Sequence, residues 1–194
     1  MESLVNRIKN ILLSPKTEWV SIEQENTPWL KTLTSYLLLA AAIPTVAAFI
    51  GYGVIGSSAF GIRYHSIEWG IRMAAVQYVL MVGGVFVTSA IIYLLADSFL
   101  SKKDYNSAFA LVAWSYAPMC IAGIFYIFPA LSWLASLAGL YGLYLLYIGL
   151  KPMLKTPDDK QTTYFVVSLI CTIGVSIALS AILTVVLVKG MYSF

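Results

Sequence analysis

Residues 140–160 read LYGLYLLYIGLKPMLKTPDDK. Up to Leu150 the stretch holds no charge; at Lys151-Pro152 the apolar run stops and a charged tail begins. An uncharged run of this kind, bounded by lysines, is the form a membrane-spanning helix takes. A helix needs about 20 predominantly apolar residues to cross a bilayer core of about 30 Å. Working outward, blocks of that length recur at about Leu33–Gly56, Met73–Ala96, Ser107–Phe128, Leu131–Leu150 and Tyr164–Val188.

Composition agrees. The chain has 194 residues, 60% of them hydrophobic and 11% charged, where a soluble domain carries about 25% charged residues. Barrel strands are short and alternate apolar with polar residues; these blocks are long and apolar all round. A helix also satisfies its own backbone polar groups in hydrocarbon. The expected fold is therefore all-α: a polytopic bundle of five transmembrane helices, residues 33–194, preceded by an N-terminal segment, residues 1–32, with a short amphipathic helix. The first thirty residues are polar-rich, with Pro15 and Pro28, and do not have the form of a cleavable signal.

The basic residues orient the chain. An odd number of spans puts the termini on opposite sides. With the N-terminus cytoplasmic, Arg7, Lys9, Lys16, Lys31, Lys102, Lys103, Lys151, Lys155 and Lys160 are inside, and Arg63, Arg72 and Lys189 outside. Excess Lys and Arg in cytoplasmic segments sets orientation, so the expectation is a cytoplasmic N-terminus and an external C-terminus. The net charge of +3 fits segments lying against anionic headgroups rather than nucleic acid.

Residues 2–13, ESLVNRIKNILL, place Leu4, Val5, Ile8, Ile11 and Leu12 at helical spacing, with Arg7 and Lys9 elsewhere on the wheel. This predicts a helix lying in the interface, ended by Ser14-Pro15, with Trp19 and Trp29 as interfacial anchors. Pro44 and Pro118 fall in the first and third blocks, where each removes one helical hydrogen bond and kinks its helix. In the fourth block small residues recur every four positions: Ser132 and Ser136, Ala135 and Gly139, Ala138 and Gly142. Such rows let membrane helices approach closely. Tyr141, Tyr144 and Tyr147 form a ladder that is either a packing seam or the polar lining of a cavity. Their hydroxyls need partners, which carbonyls freed by Pro44 or Pro118 would supply.

Chemical motifs are scarce. His65 and Glu68 stand three apart, too few for a metal site. Cys120 and Cys171 both fall inside blocks and read as buried thiols. No ionisable residue lies within a block, which disfavours ion-coupled carriers and intramembrane proteases. No catalytic, metal or cofactor pattern appears, so no enzyme activity and no cofactor are expected.

RIKNILLSPKTEW (7–19) with the following SIEQE, AWSYAPMCIAGIF (113–125) and LAGLYGLYLLYIGLKPMLKTPDDK (137–160) resemble the Yip1 family of membrane proteins in its prokaryotic branch. The resemblance implies five helices and a cytoplasmic N-terminus. Two motifs of the eukaryotic, GTPase-binding relatives do not carry over. Asp-Leu-Tyr is absent, and Gly-Tyr-x-x-x-Pro is echoed only by Tyr116-Ala117-Pro118. The functional expectation is a non-enzymatic protein of the bacterial inner membrane that binds lipids or membrane-protein partners and organises the bilayer. The alternatives are a facilitator for a neutral or weakly polar solute, and an assembly factor. The positions singled out are Pro44, Tyr116, Pro118, Gly139, Tyr141, Gly142, Tyr144 and Tyr147.

Overall fold

In the computed structural model the apolar blocks form five long helical spans: Trp29–Ile55, Ile67–Phe99, Tyr105–Ile127, Ser132–Leu154 and Asp158–Ala178. The structure describes the backbone of residues 4–59, 62–64 and 66–191. It describes their side chains apart from those of 57–59, 62–64, 129 and 179–191. The start of the expected 2–13 helix and His65 of the His65–Glu68 pair lie outside the described residues.

The elements are α1 (Leu4–Leu13), α2 (Pro15–Glu25), α3 (Trp29–Thr32), α4 (Leu38–Phe49), α5 (Ile67–Leu95), α6 (Tyr105–Ser115), α7 (Ala117–Ala122), α8 (Ser132–Leu154) and α9 (Asp158–Met191). The first span joins α3 and α4 through a π-helical turn, Leu33–Leu37, and ends in another, Ile50–Ile55. The loop after it contains a small antiparallel ribbon that pairs Ser57–Ala59 with Ile62–Tyr64. The second span starts at Ile67, earlier than its apolar block, because Ser66 caps the helix by accepting a hydrogen bond from the Trp69 N–H.

Pro44 lies inside α4, buried, and packs on Gly123. Pro118 behaves differently from the expected kink. The third span breaks at Tyr116, and Pro118 occupies the first turn of the new helix α7. There its missing N–H costs nothing, since first-turn N–H groups have no intrahelical partner.

α6 is the central element: every residue from Ser107 to Ser115 is buried. α8 crosses it closely, and a Cβ on Gly142 would lie 2.6 Å from the Ser115 carbonyl oxygen. Seven residues on, Gly149 faces Leu111 and Trp19, whose Cε2 would be 2.8 Å from an added Cβ. Seven before Gly142, Ala135 is fully buried. The packed row is thus Ala135–Gly142–Gly149, at a spacing of seven. That repeat keeps one face of a helix against its neighbour.

The turns on one end of the bundle interlock. We call this end the basic face, since Lys102, Lys103, Lys151 and Lys155 lie there. The Lys102 N–H donates to the Leu154 carbonyl at 2.7 Å. The Ser101 hydroxyl donates to Thr156 Oγ1 at 2.9 Å, and Thr156 donates to the Leu150 carbonyl. Lys151 pairs with Asp158 and Lys155 with Glu23. Tyr164, fully buried, donates to the Ile92 carbonyl and stacks on Phe99.

Candidate functional site

The N-terminal segment builds the site, and not in the manner expected. α1 and α2 form a helical hairpin wedged into the bundle. Ile11 and Trp19 are completely buried, so Trp19 is a core residue rather than an interfacial anchor. Trp29 is half-buried, its ring edge-on to Phe86, Tyr105 and Phe109, and its backbone N–H donates to Asn106 Oδ1.

The corner of the hairpin reaches far in. Tyr141 donates its hydroxyl to the Leu12 carbonyl at 2.7 Å. At 1.5 Å per residue, Tyr141 lies about 14 Å from each of Ser132 and Lys151 along α8. Those two residues bracket the apolar part of that helix. The corner therefore sits near the middle of the spans, and α2 returns along α8 to the Glu23–Lys155 ion pair.

This folds charge into the bundle. Arg7, expected on the outer polar flank of α1, points inward. Its Nη1 donates to Glu25 Oε2 at 2.7 Å and its Nη2 to Glu25 Oε1, a two-pronged pair. Its Nε lies 3.3 Å from Glu18 Oε1. Its guanidinium carbon stands 5.7 Å from the ring centre of Trp114, within cation–π range. The Arg7 and Glu18 side chains are 13% and 6% exposed, while that of Glu25, at the mouth, is 43% exposed. The hydrogen bond from Arg7 outweighs burial and, with the charges of Arg7 and Lys31, holds the Glu25 carboxyl below its ordinary pKa.

Beside this cluster lies a cavity of about 440 Å³. Glu25, Thr27, Lys31, Thr32 and Ser35 form its polar mouth, and Leu4, Ile22, Ala110, Tyr36 and Trp114 its apolar floor. Tyr36 and Trp114 are stacked, ring centres 3.8 Å apart and planes 13° from parallel. A smaller cavity of about 130 Å³ lies on the other side of α6, among Val112, Ser115, Tyr116, Met119, Gly139, Gly142, Leu143 and Leu146. The two share no lining residue.

The positions singled out from sequence distribute as follows. Tyr116, Gly139 and Gly142 line the smaller cavity, with Met119 Sδ 3.7 Å from where a Cβ on Gly139 would be. Pro44 and Pro118 are buried in separate packing contacts. The tyrosine ladder fans out. Tyr141 bonds to α1, Tyr144 is exposed on the bundle surface, and Tyr147 reaches Thr162 of α9 at 3.2 Å. The Tyr141 hydroxyl thus finds the end of α1 rather than a proline-freed carbonyl. Among the described residues no three His, Cys, Asp or Glu side chains group as metal ligands.

Sequence reading missed Arg7, Glu18, Glu25, Lys31, Tyr36 and Trp114. One local signal was present: Glu18, Ile22 and Glu25 are spaced to share a helix face. What they meet lies 11 and 18 residues away on another helix, and no local pattern reports that.

Residues 9–186 match the Yip1 domain. Over 134 residues the chain is 26% identical to the inner membrane protein YohC of Escherichia coli strain K12, covering 68% of each chain. The YohC of Escherichia coli O6:H1 matches to the same extent. No solved structure matches.

Proposed function

The chain belongs to the Yip1 family of membrane proteins, and from that premise we propose that it is a non-enzymatic, multi-pass protein of the bacterial inner membrane that binds lipid or protein partners and thereby organises the bilayer. The observation that carries this reading is the 440 Å³ cavity, with its charged mouth and apolar floor, opening beside the basic face. A cavity of about 300–1,000 Å³, mostly apolar with a few convergent polar groups, is the usual form of a binding site. Its walls come from the N-terminal hairpin and the first and third spans, so an occupant bridges elements that are distant in sequence. A solute path draws less support, because the stacked Tyr36 and Trp114 floor the large cavity and the smaller one opens elsewhere.

The excess of lysine at the basic face supports a cytoplasmic location for it. Fusions of a reporter active only in the cytoplasm should work after Lys103 or Lys160 and fail after Phe194. The function itself is tested by extracting the protein from its native membrane in mild detergent and identifying what remains bound. Specific lipids or a membrane protein should co-purify in fixed ratio. An extract that holds neither, together with solute flux through liposomes containing the protein, would favour the facilitator instead.

A further inference from the structure

We propose that the cavity beside Arg7 is a headgroup site for a zwitterionic aminophospholipid, with the phosphate at Lys31 and the primary ammonium at Glu25. The inference rests on the partner-binding reading above and names the ligand's chemistry.

Opposed charges at the mouth make the first part of the case. Arg7 joins two carboxylates, Glu18, nearly enclosed, and Glu25, whose side chain is 43% exposed. Glu25 is thus the accessible carboxylate, and it stands at the mouth. Across the mouth Lys31 makes no ion pair with any described residue, yet its charge is felt by Glu25. The Thr27 and Thr32 hydroxyls line the same mouth and make no hydrogen bond to a described residue. A phosphate ester fits against Lys31 and these hydroxyls, and an ammonium against the outer side of Glu25. A zwitterion adds no net charge and offers each of Lys31 and Glu25 its opposite. An anionic headgroup has no cation to set against Glu25, and a quaternary ammonium has no N–H to donate to the carboxylate.

Depth makes the second part. Lys31 and Thr32 lie at the very start of the first span, where headgroups are. Trp114 lies nine residues into α6, about 14 Å along its axis. The cavity therefore runs from headgroup level to acyl level, polar end outward, as a phospholipid does. Exposed apolar side chains flank the cavity: Leu4 lines it, and Val5 and Leu30 are next to lining residues. They suit acyl chains and would be poorly placed beside a soluble headgroup in water.

The test uses the full chain, purified and delipidated in an uncharged detergent, with thermal unfolding followed as lipid is added. Dioleoyl phosphatidylethanolamine is the probe. The comparison arms are phosphatidylglycerol, phosphatidylcholine and soluble O-phosphoethanolamine at equal concentration. A ligand about 100-fold above its dissociation constant should raise the Tm by about 5 °C or more. That rise is expected for phosphatidylethanolamine alone. Lys31→Gln, at an exposed position, should abolish it and Lys31→Arg retain it; Glu25→Gln should also abolish it. An equal rise with phosphatidylglycerol or phosphatidylcholine, or a rise that survives Lys31→Gln, overturns the assignment. An equal rise with O-phosphoethanolamine overturns the lipid as its source. No response to phosphatidylethanolamine while other lipids or a protein co-purify removes this assignment and leaves the broader function standing.

Discussion

The third span and the fifth are alike as sequence and opposite as structure. Their mean hydropathies are 1.7 and 1.6, yet 67% of the third span's apolar window is buried inside the protein and only 11% of the fifth's. Hydropathy reports that a helix prefers hydrocarbon to water, and lipid tails are as apolar as leucine. It therefore says nothing about whether the hydrocarbon is lipid or protein. The third span presents Ser107, Ala108, Ala110, Ala113, Ser115 and Ala117, all buried. The fifth presents Ile170, Ile173, Val175 and Ile177, all exposed. It is held near its Asp158 end, by Tyr164 and Ser168.

The largest expected effect comes from uncovering the third span. Arg7 closes the hairpin over Trp114, and both it and Glu18 are nearly enclosed. Arg7→Ala leaves buried carboxylate charge without its partner, a change that costs about 3–5 kcal/mol. Unfolding in detergent micelles should show that loss. Arg7→Met combined with Glu18→Leu should recover most of it, since apolar replacement of both partners is often neutral. A loss below about 1 kcal/mol for Arg7→Ala would mean that the hairpin covers α6 without holding it.

Gly142→Leu comes next. The new side chain would meet the Ser115 backbone oxygen, which cannot rotate away, and overpacking costs about 1–3 kcal/mol. Here sequence and structure agree on the residue and differ on the row. The four-residue spacing selected Gly142 but also Ser136, which is exposed, and it passed over Gly149, which is buried against Trp19. Which small residues face a partner depends on where the partner is.

The same reason explains what was legible at all. The spans could be read because each element by itself must satisfy lipid, a local requirement. The Yip1 resemblance could be read from contiguous motifs. The hairpin could not, because α2 reads as polar: PKTEWVSIEQE. Its Glu18 becomes a core residue only because Arg7 arrives from another helix. The absence of ionisable residues from the apolar blocks was correct as a statement of sequence. As a guide to the bundle interior it failed, since the charge enters from outside the blocks.

Acid should loosen the third span's surroundings before the fifth's. Glu25 is held below its ordinary pKa by Arg7. Burial would raise Asp104, the cap of α6, but hydrogen bonds from Ser107, Lys102 and the Asn106 N–H outweigh it and hold this carboxyl low too. A carboxyl lowered on folding stabilises the protein above its unfolded pKa, and that contribution fades as pH falls through the folded one. The Tm should therefore be flat from pH 7 to about 5 and then drop through and below the ordinary values of 4.5 and 3.8. In Arg7→Met the drop should be shallower. An equal drop in both proteins would exclude the Arg7–Glu25 pair as a source.

Smaller still is the contrast within the tyrosine ladder. Tyr141→Phe deletes the hydroxyl bonded to Leu12 and should cost about 0.6 kcal/mol, the average for hydrogen bonds in membrane helices. Tyr144→Phe, on the exposed face, should cost nothing measurable in the same unfolding assay. Equal losses would mean that the Leu12 bond does not hold the hairpin corner.

The smallest effect tests the other side of the comparison. Gly174 in α9 has no heavy atom within 4 Å of where its Cβ would be. Gly174→Leu is the same replacement as Gly142→Leu, made in a helix of nearly equal hydropathy. Overpacking requires a neighbour, and none is present among the described residues. The added side chain faces hydrocarbon, which accepts leucine readily, and leucine favours the helix more than glycine does. The change in unfolding free energy should stay within about 0.5 kcal/mol, as for substitutions away from packed features. Measured beside Gly142→Leu in the same micelles, it isolates packing from hydrophobicity. A loss as large as that of Gly142→Leu would show that the far half of α9 is packed against something, and the contrast between the two spans would no longer hold.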